Sequence, residues 1–273
     1  MLDLKISDPE LELLLGDLTE IYGYDFTSYS RASLLRRVNR LIIIDKFPGF
    51  AEFRAYLRIS PDYLKRFVEE ITVNVTEMFR DPLFYQYIRT NVLPLIASRP
   101  FMRIWHAGCS TGEEVYSMAI LLSEAGLLHK TLIYATDINP AVVEKARNGI
   151  FPLAHMKLNS ENYIQSGGTN DFSSYYTAQY DSAIFNQELK KKMIFSTHNL
   201  VSDGSFNEFQ LILCRNVLIY FDKDLQDKVL KLFDGSLEHL GYLALGSKET
   251  LKFSVINAKY KQLERQKIWR KIK

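Results

Sequence analysis

Two glycines and three carboxylates carry the first chemical signal in the chain. Gly108-Cys109-Ser110-Thr111-Gly112 is followed at once by Glu113 and Glu114, and Asp137 stands 25 residues after Gly112. Glycine turns sharply and lets backbone approach a ligand with no Cβ between them. A carboxylate closing the next strand can accept hydrogen bonds from both hydroxyls of a ribose. Read formally, the run is also G-x-S-x-G, the nucleophile elbow of α/β-hydrolases, with Asp203 and His239 in triad order. A dinucleotide site is a third possibility, but the G-x-G-x-x-G spacing is missing and Glu113 and Glu114 would repel a pyrophosphate. The paired carboxylates suit instead an adenosine cofactor with a cationic amino group and no phosphate, such as S-adenosylmethionine.

The elements that must position these residues fall into two classes. Residues 1 to about 90 show helical spacing of apolar residues. Leu11, Leu14, Leu15 and Leu18 form one set and Leu34, Val38, Leu41 and Ile42 another. A third helix is expected over 63–71 after Ser60-Pro61, and a fourth from Asp81-Pro82. After Pro100, strands (102–107, 132–136, 192–197, 210–214 and 241–245) alternate with helices (113–125, 140–148 and 223–240). Such βαβ alternation predicts a mostly parallel sheet covered on both faces. A final hairpin (260–263 with 267–272) would add an antiparallel edge. The hydrolase fold builds several strands before its elbow, whereas only helices precede this one.

Composition narrows the class. The 273 residues, 47% hydrophobic and 24% charged, suit a soluble globular protein of two domains. No run of about 18 apolar residues predicts a membrane span. The N-terminus lacks the basic and apolar regions of a signal peptide. Cys109 and Cys214 have no CxxC spacing and no HExxH pair occurs, so neither a disulfide framework nor a metal site is expected, and a reducing cytoplasm fits. A net charge of +2 offers no broad footprint for nucleic acid. Locally, Arg31, Arg36, Arg37, Arg40 and Lys46 stand against the single acid Asp45. Arg36 and Arg40 share one helical face with Arg37 adjacent.

Four colinear stretches, ITVNVTEMFRDP (71–82), WHAGCSTGEEVYS (105–117), ATDIN (135–139) and CRNVLIYFD (214–222), closely resemble the chemotaxis receptor methyltransferase (CheR) family over about residues 20 to 255. The resemblance implies an α/β fold: a Rossmann-like domain with a mostly parallel seven-stranded sheet and an antiparallel C-terminal hairpin. It places a small all-α domain before that sheet and a small β subdomain within it. The implied boundaries are 1–85 for the helical domain, 86–100 for a linker helix region and 101–273 for the methyltransferase domain, with the insert at about 159–195.

The resemblance further implies methyl transfer from S-adenosylmethionine, which becomes S-adenosylhomocysteine, to chemoreceptor glutamates. By position, Asn74, Thr76 and Arg80 would enclose the cofactor, Gly108 and Glu113 would contact it, and Asp137 would hold its ribose. Asn199 and Leu200 would flank the adenine, and Arg215 and Asn216 would close the amino-acid end. Arg80 and Arg215 would orient a carboxylate, with Tyr220 near the transferred methyl. The acidic helical methylation region of the receptor would dock on Arg31, Arg36, Arg37 and Arg40, bringing a cytoplasmic enzyme to membrane-bound receptors. Met78 replaces a common aromatic, and GSKE (246–249) replaces a more usual Gly-His-Ser-Glu. The insert, with Ser166-Gly167-Gly168 and Tyr175-Tyr176, leaves open whether a receptor C-terminal tether peptide binds. The alternative is a non-catalytic sensor or adaptor with the same pocket.

Overall fold

The computed structural model describes residues 5–72, 76–264 and 266–273, and the chain divides into two compact units. Asn74 lies outside the described residues.

The first unit holds α1 (Asp8–Tyr22), α2 (Arg31–Ile44), α3 (Phe50–Ile59) and α4 (Pro61–Thr72), together with the segment Leu218–Lys228. Ser7 and Glu10 form a capping box that starts α1, and Gly23, at φ 74°, ends it. The expected apolar sets are the buried ones, Leu11, Leu14, Leu15 and Leu18 on α1 and Leu34, Val38, Leu41 and Ile42 on α2. The sequence gives little sign of α3, because only Phe53 and Leu57, one turn apart, are buried along it. Ionic contacts join these helices: Arg54 grips Asp17 at 2.5 and 2.9 Å, and Asp45 accepts from Tyr63 and Arg66. Segment 218–228 lies against the start of α2, with Ser30 N–H donating to the Tyr220 carbonyl at 2.8 Å.

The second unit begins with α5 (Pro82–Tyr87), a π-helical turn (Ile88–Val92) and α6 (Leu93–Ile96). Strand β1 (Met102–Ala107) leads into α7 (Glu113–Glu124), and β2 (Thr131–Asp137) into α8 (Pro140–Asn148). Then come β3 (Ile150–Pro152), α9 (Met156–Gln165), β4 (Tyr176–Gln179), β5 (Ser182–Phe185), α10 (Gln187–Lys190), β6 (Met193–Thr197) and β7 (Phe209–Cys214). Helix α11 (Lys223–Ser236), β8 (Leu237–Leu245), β9 (Tyr260–Gln262) and β10 (Ile268–Lys271) complete the chain. The large sheet has seven strands in the order β6-β2-β1-β7-β8-β10-β9, and β3-β5-β4 form a small antiparallel sheet. Parallel pairing runs from β6 to β8, and β10 is antiparallel to both neighbours. Strand order reverses between β1 and β7, so the crevice at the carboxyl ends of β1, β2 and β7 is where this topology seats a ligand.

The helix expected over 223–240 stops at Ser236, since Leu237 already pairs with Phe209 and a register shift follows before Leu211 meets Tyr242. The small sheet occupies Ile150 to Phe185, starting before the insert that the resemblance implies at about 159–195, and β6 belongs to the large sheet. Trp105, fully buried, packs edge-on against Phe206, Phe233 and His198, and its Nε1 donates to Thr136 Oγ1 at 2.8 Å. That bond ties β1 to β2 one residue before Asp137.

Candidate active site

The turn after β1 is fixed mainly by its own backbone. Gly108 and Cys109 N–H both donate to the Thr136 carbonyl at 2.8 and 2.9 Å. Ser110 N–H donates to Asp137 Oδ2 at 2.9 Å, and Asn139 N–H to Oδ1 at 3.0 Å. Asp137 is thus anchored at the strand end with both oxygens engaged, each with lone-pair capacity left for a ligand. Burial raises its pKa, while the N–H groups of Asn139, Ser110 and Ile138 work against that rise.

The glycines are needed for a reason other than the one expected. Gly108 and Gly112 have φ of 81° and 100°, and a Cβ on either would strike protein, Val217 Cγ2 at 2.4 Å or Ala146 Cβ at 2.8 Å. Their bareness serves the left-handed turn and close packing, and ligand approach is not what occupies the missing Cβ.

The two glutamates that open α7 divide. Glu113 is buried, accepts from Thr111 Oγ1 at 2.6 Å, and has its pKa raised by burial. Glu114 is committed internally, with His106 Nδ1 at 2.9 Å and Arg215 Nη1 at 3.1 Å. Burial would raise its pKa, but these two partners outweigh it and hold the carboxyl below the usual range. Glu113 alone therefore remains for a cationic ligand group.

Arg215 closes the same network from the end of β7. Its Nη2 donates to Asp81 Oδ2 at 2.6 Å and to the Arg80 carbonyl at 3.2 Å, and its guanidinium lies 4.0 Å from the Phe84 ring centre. Both terminal nitrogens are engaged, so Arg215 ties Glu114 to the Arg80 carbonyl and the Asp81 side chain, and any part in orienting a carboxylate shares the guanidinium with these bonds. Arg80 is half-buried between Phe79 (φ 52°) and Asp81 (φ 58°). Such left-handed residues need outside support. Here Ser117 Oγ accepts from Phe79 N–H at 2.9 Å, and Asn159 and Asn162 hold the N–H and carbonyl of Met78 at 3.1 Å each. Met78 itself is fully buried, and Thr76, two residues before it, is half-buried. Neither asparagine nor Ser117 was anticipated; the i, i+3 spacing of Asn159 and Asn162 on α9 was the only trace.

Asn216 adopts φ 62°, and its N–H donates to Glu249 Oε2 at 3.0 Å, which also accepts from Gly246 N–H at 2.6 Å. Asn199 forms a tight turn after β6, donating to Asp203 and accepting from Val201 N–H, and Leu200 is buried. His198, before it, donates its N–H to the Asp137 carbonyl at 3.0 Å. The hydrolase alternative fails on the same facts, because Asp203 caps this turn and His239 is exposed on β8. Burial pushes both the Cys109 and Cys214 thiols well up, so neither is a ready nucleophile.

Among the described residues, Ser110 Oγ, Asn139 Nδ2 and Arg215 Nε are buried without a hydrogen-bond partner. Unmatched donors on Ser110 and Asn139, whose N–H groups already bond Asp137, together with the buried Glu113 fit a nucleoside that carries an amino-acid group, and so fit S-adenosylmethionine.

The remaining expected residues belong to the helical unit. Tyr220 is found there, its ring 5.9 Å from the Arg37 guanidinium. Arg37 is turned inward, donating to the Glu70 carbonyl at 2.8 Å, and burial lowers its pKa. This corrects its assignment to an exposed docking face. Arg31, Arg36 and Arg40 are exposed; Arg31 pairs with Glu12 and Arg40 with Glu70 at 3.3 Å.

Comparison with known proteins agrees with this geometry. The family model for the CheR methyltransferase SAM-binding domain matches residues 74–268, and that for the CheR methyltransferase all-alpha domain matches residues 9–72. The Cher3 protein of Pseudomonas putida is 45% identical, covering 97% of each chain. A chemotaxis protein methyltransferase of Listeria innocua is 32% identical over 84% of this chain and 85% of its own. One of Salmonella typhimurium is 32% identical over 90% and 85%.

Proposed function

Because the chain belongs to the CheR methyltransferase family, we propose that it transfers methyl groups to glutamate side chains of chemoreceptors, forming methyl esters. It is an S-adenosylmethionine-dependent methyltransferase, and the cofactor supplies a methyl group already activated on a sulfonium sulfur. The observation that carries the assignment is the pair of buried carboxylates after β1 and at the end of β2, Glu113 opening α7 and Asp137 closing β2, with the unmatched donors of Ser110 and Asn139 at Asp137.

In this scheme Asp137 takes the ribose hydroxyls and Glu113 the ammonium group. Asn199 and Leu200 would flank the adenine, and Gly108 would lie beside the cofactor. Thr76 and Arg80, with Asn74 by family resemblance alone, would enclose the cofactor, and Arg215 and Asn216 would close the amino-acid end. Arg80 would orient a carboxylate, the role that family resemblance gives it, and Arg215, whose terminal nitrogens meet Asp81 and Glu114, would position the Arg80 backbone. Tyr220 keeps, by family resemblance alone, its proposed place near the transferred methyl. A glutamate with a pKa of about 4.3 is already ionised at neutral pH, so no residue of the chain has to act as a general base. What the protein contributes is alignment at about 3–3.5 Å, which can supply roughly 7–11 kcal/mol of the barrier.

The outward arginines of α2, Arg31, Arg36 and Arg40, suit the acidic methylation helices of a receptor. Strand β4, at an edge of the small sheet, offers free backbone groups to which a receptor tether peptide could add a strand. The enzyme would meet membrane-bound receptors from the cytoplasm. No helix among the described residues is long and apolar enough to cross a membrane.

The test is calorimetry with S-adenosylhomocysteine, followed by labelled methyl transfer to purified receptor fragments. Binding with base-labile label on glutamates is the expected result. Binding without transfer would favour a sensor or adaptor, and absence of binding would defeat the cofactor assignment.

A further inference from the structure

The stretch after β8 has a rigid base and an unusual tip. At the base, Glu249 Oε2 receives the N–H groups of Gly246 and Asn216, and Lys267 Nζ donates to the Glu249 carbonyl at 2.8 Å. Leu251 and Ile256 are buried, and the Leu251 carbonyl accepts from both Ser254 N–H and Ser254 Oγ. Between those anchors Phe253 is 79% exposed and Val255 60% exposed. Lys248 and Lys252 are exposed and have no ion pair among the described residues. Glu249, the one carboxylate between Gly246 and Ile256, is turned inward.

A single exposed apolar residue needs no explanation. Here two of them share a tightly turned stretch with two unpaired lysines, and that stretch is bonded to Asn216 at the end of β7. We propose that 247–255 is a substrate-recognition tip that docks the acidic, amphipathic helix bearing the target glutamate. Phe253 and Val255 would pack on the apolar stripe of the helix, and Lys248 and Lys252 would meet its carboxylates. This rests on the receptor methyltransferase function proposed above. The rigid base matters, because a tip already ordered loses little entropy on docking. A second copy of this chain is a poorer occupant, since a self-complementary interface would gather the same lysines into one patch.

Two full-length variants test the proposal, F253S/V255S and K248E/K252E, with a purified receptor fragment containing its methylation helices. Each is expected to raise the KM for the fragment about tenfold, the order for losing a packed aromatic or complementary charges at an interface. The affinity for S-adenosylhomocysteine and the kcat should be unchanged, and the defect of K248E/K252E should shrink in high salt. If wild type methylates the fragment and both variants do so with unchanged KM, the tip has no such role. The proposal also falls if sedimentation shows a wild-type dimer that F253S/V255S converts to monomer without a change in KM. A wild-type protein that binds cofactor but methylates no receptor fragment would overturn the functional assignment and this proposal with it.

Discussion

The turn at 108–112 and the segment at 78–81 both depart from ordinary backbone geometry, yet they are held in opposite ways. In the turn, positive φ falls on Gly108, Ser110 and Gly112, and the bonds run to Thr136 and Asp137 of the adjoining strand. The two glycines take that geometry at no steric cost, which leaves Ser110 as the one strained residue of the turn. In the segment, positive φ falls on Phe79 and Asp81, where it costs about 1–3 kcal/mol each. Support comes from the side chains of Ser117, Asn159, Asn162 and Arg215, on three separate elements. One side of the site is held by backbone bonds to a single adjoining strand, the other by side chains from three separate elements.

Removing the long-range clamp should do the greatest damage. Arg215→Ala leaves Glu114 largely buried without its cation, and Asp81, which is 46% exposed, turns to water. A loss of about 3 kcal/mol is expected from stripping one partner from a buried ion pair. Urea denaturation would measure it, and a loss under 1 kcal/mol would show that the clamp is dispensable. Arg215→Lys should fall between, since an ammonium keeps the charge but not the fork.

Asp137→Asn tests the turn side. Asparagine can accept one of the two N–H bonds but must point an NH2 group at the other, so about 2 kcal/mol should go and affinity for S-adenosylhomocysteine should drop tenfold or more. Unchanged affinity by calorimetry would break the ribose assignment. If the cost instead exceeded that of Arg215→Ala, the turn and not the clamp would be the more critical side.

This contrast also explains what could be read from the chain. The turn, Asp137 and the βαβ alternation around them were legible because glycine spacing and strand periodicity are local properties. The buried faces of α1 and α2 were legible for the same reason. Helix α3 was not, having only Phe53 and Leu57 to bury. Glu114 looked equivalent to Glu113 in sequence; only the fold brings His106 and Arg215 to one and not the other. Arg37 looked like its neighbour Arg36 until packing turned it toward Glu70. The partners of Phe79 and Met78 lie 38 and 81 residues away, beyond any periodicity argument.

A smaller effect should follow from Ser117→Ala. It deletes the acceptor for Phe79 N–H inside the core, leaving a buried donor unsatisfied at a cost of about 1–2 kcal/mol. Because Phe79 precedes Arg80, the KM for S-adenosylmethionine should rise while the fold persists. Ser117→Thr, which keeps the hydroxyl, should restore much of the affinity. Equal losses in both variants would assign the effect to packing alone.

The smallest expected effect is a difference in pH response between the two sides. Glu114 has a folded pKa held below its unfolded value by His106 and Arg215 against the opposing effect of burial. Its contribution to stability is therefore present above the unfolded value of about 4.3 and is lost as pH falls through the lower, folded value. Asp137 and Glu113 behave in reverse, because burial raises their folded pKa values. They detract from stability at neutral pH, and that deficit is recovered as pH falls through the raised values. Glu114→Gln should therefore flatten the acid loss of stability, while Asp137→Asn should steepen it by removing a compensating group. Urea midpoints for wild type and both variants between about pH 7 and pH 3 would show these opposite changes in slope. If both substitutions bent the curve the same way, the carboxylates would share one electrostatic environment, and the division between a clamp side and a turn side would have to be redrawn.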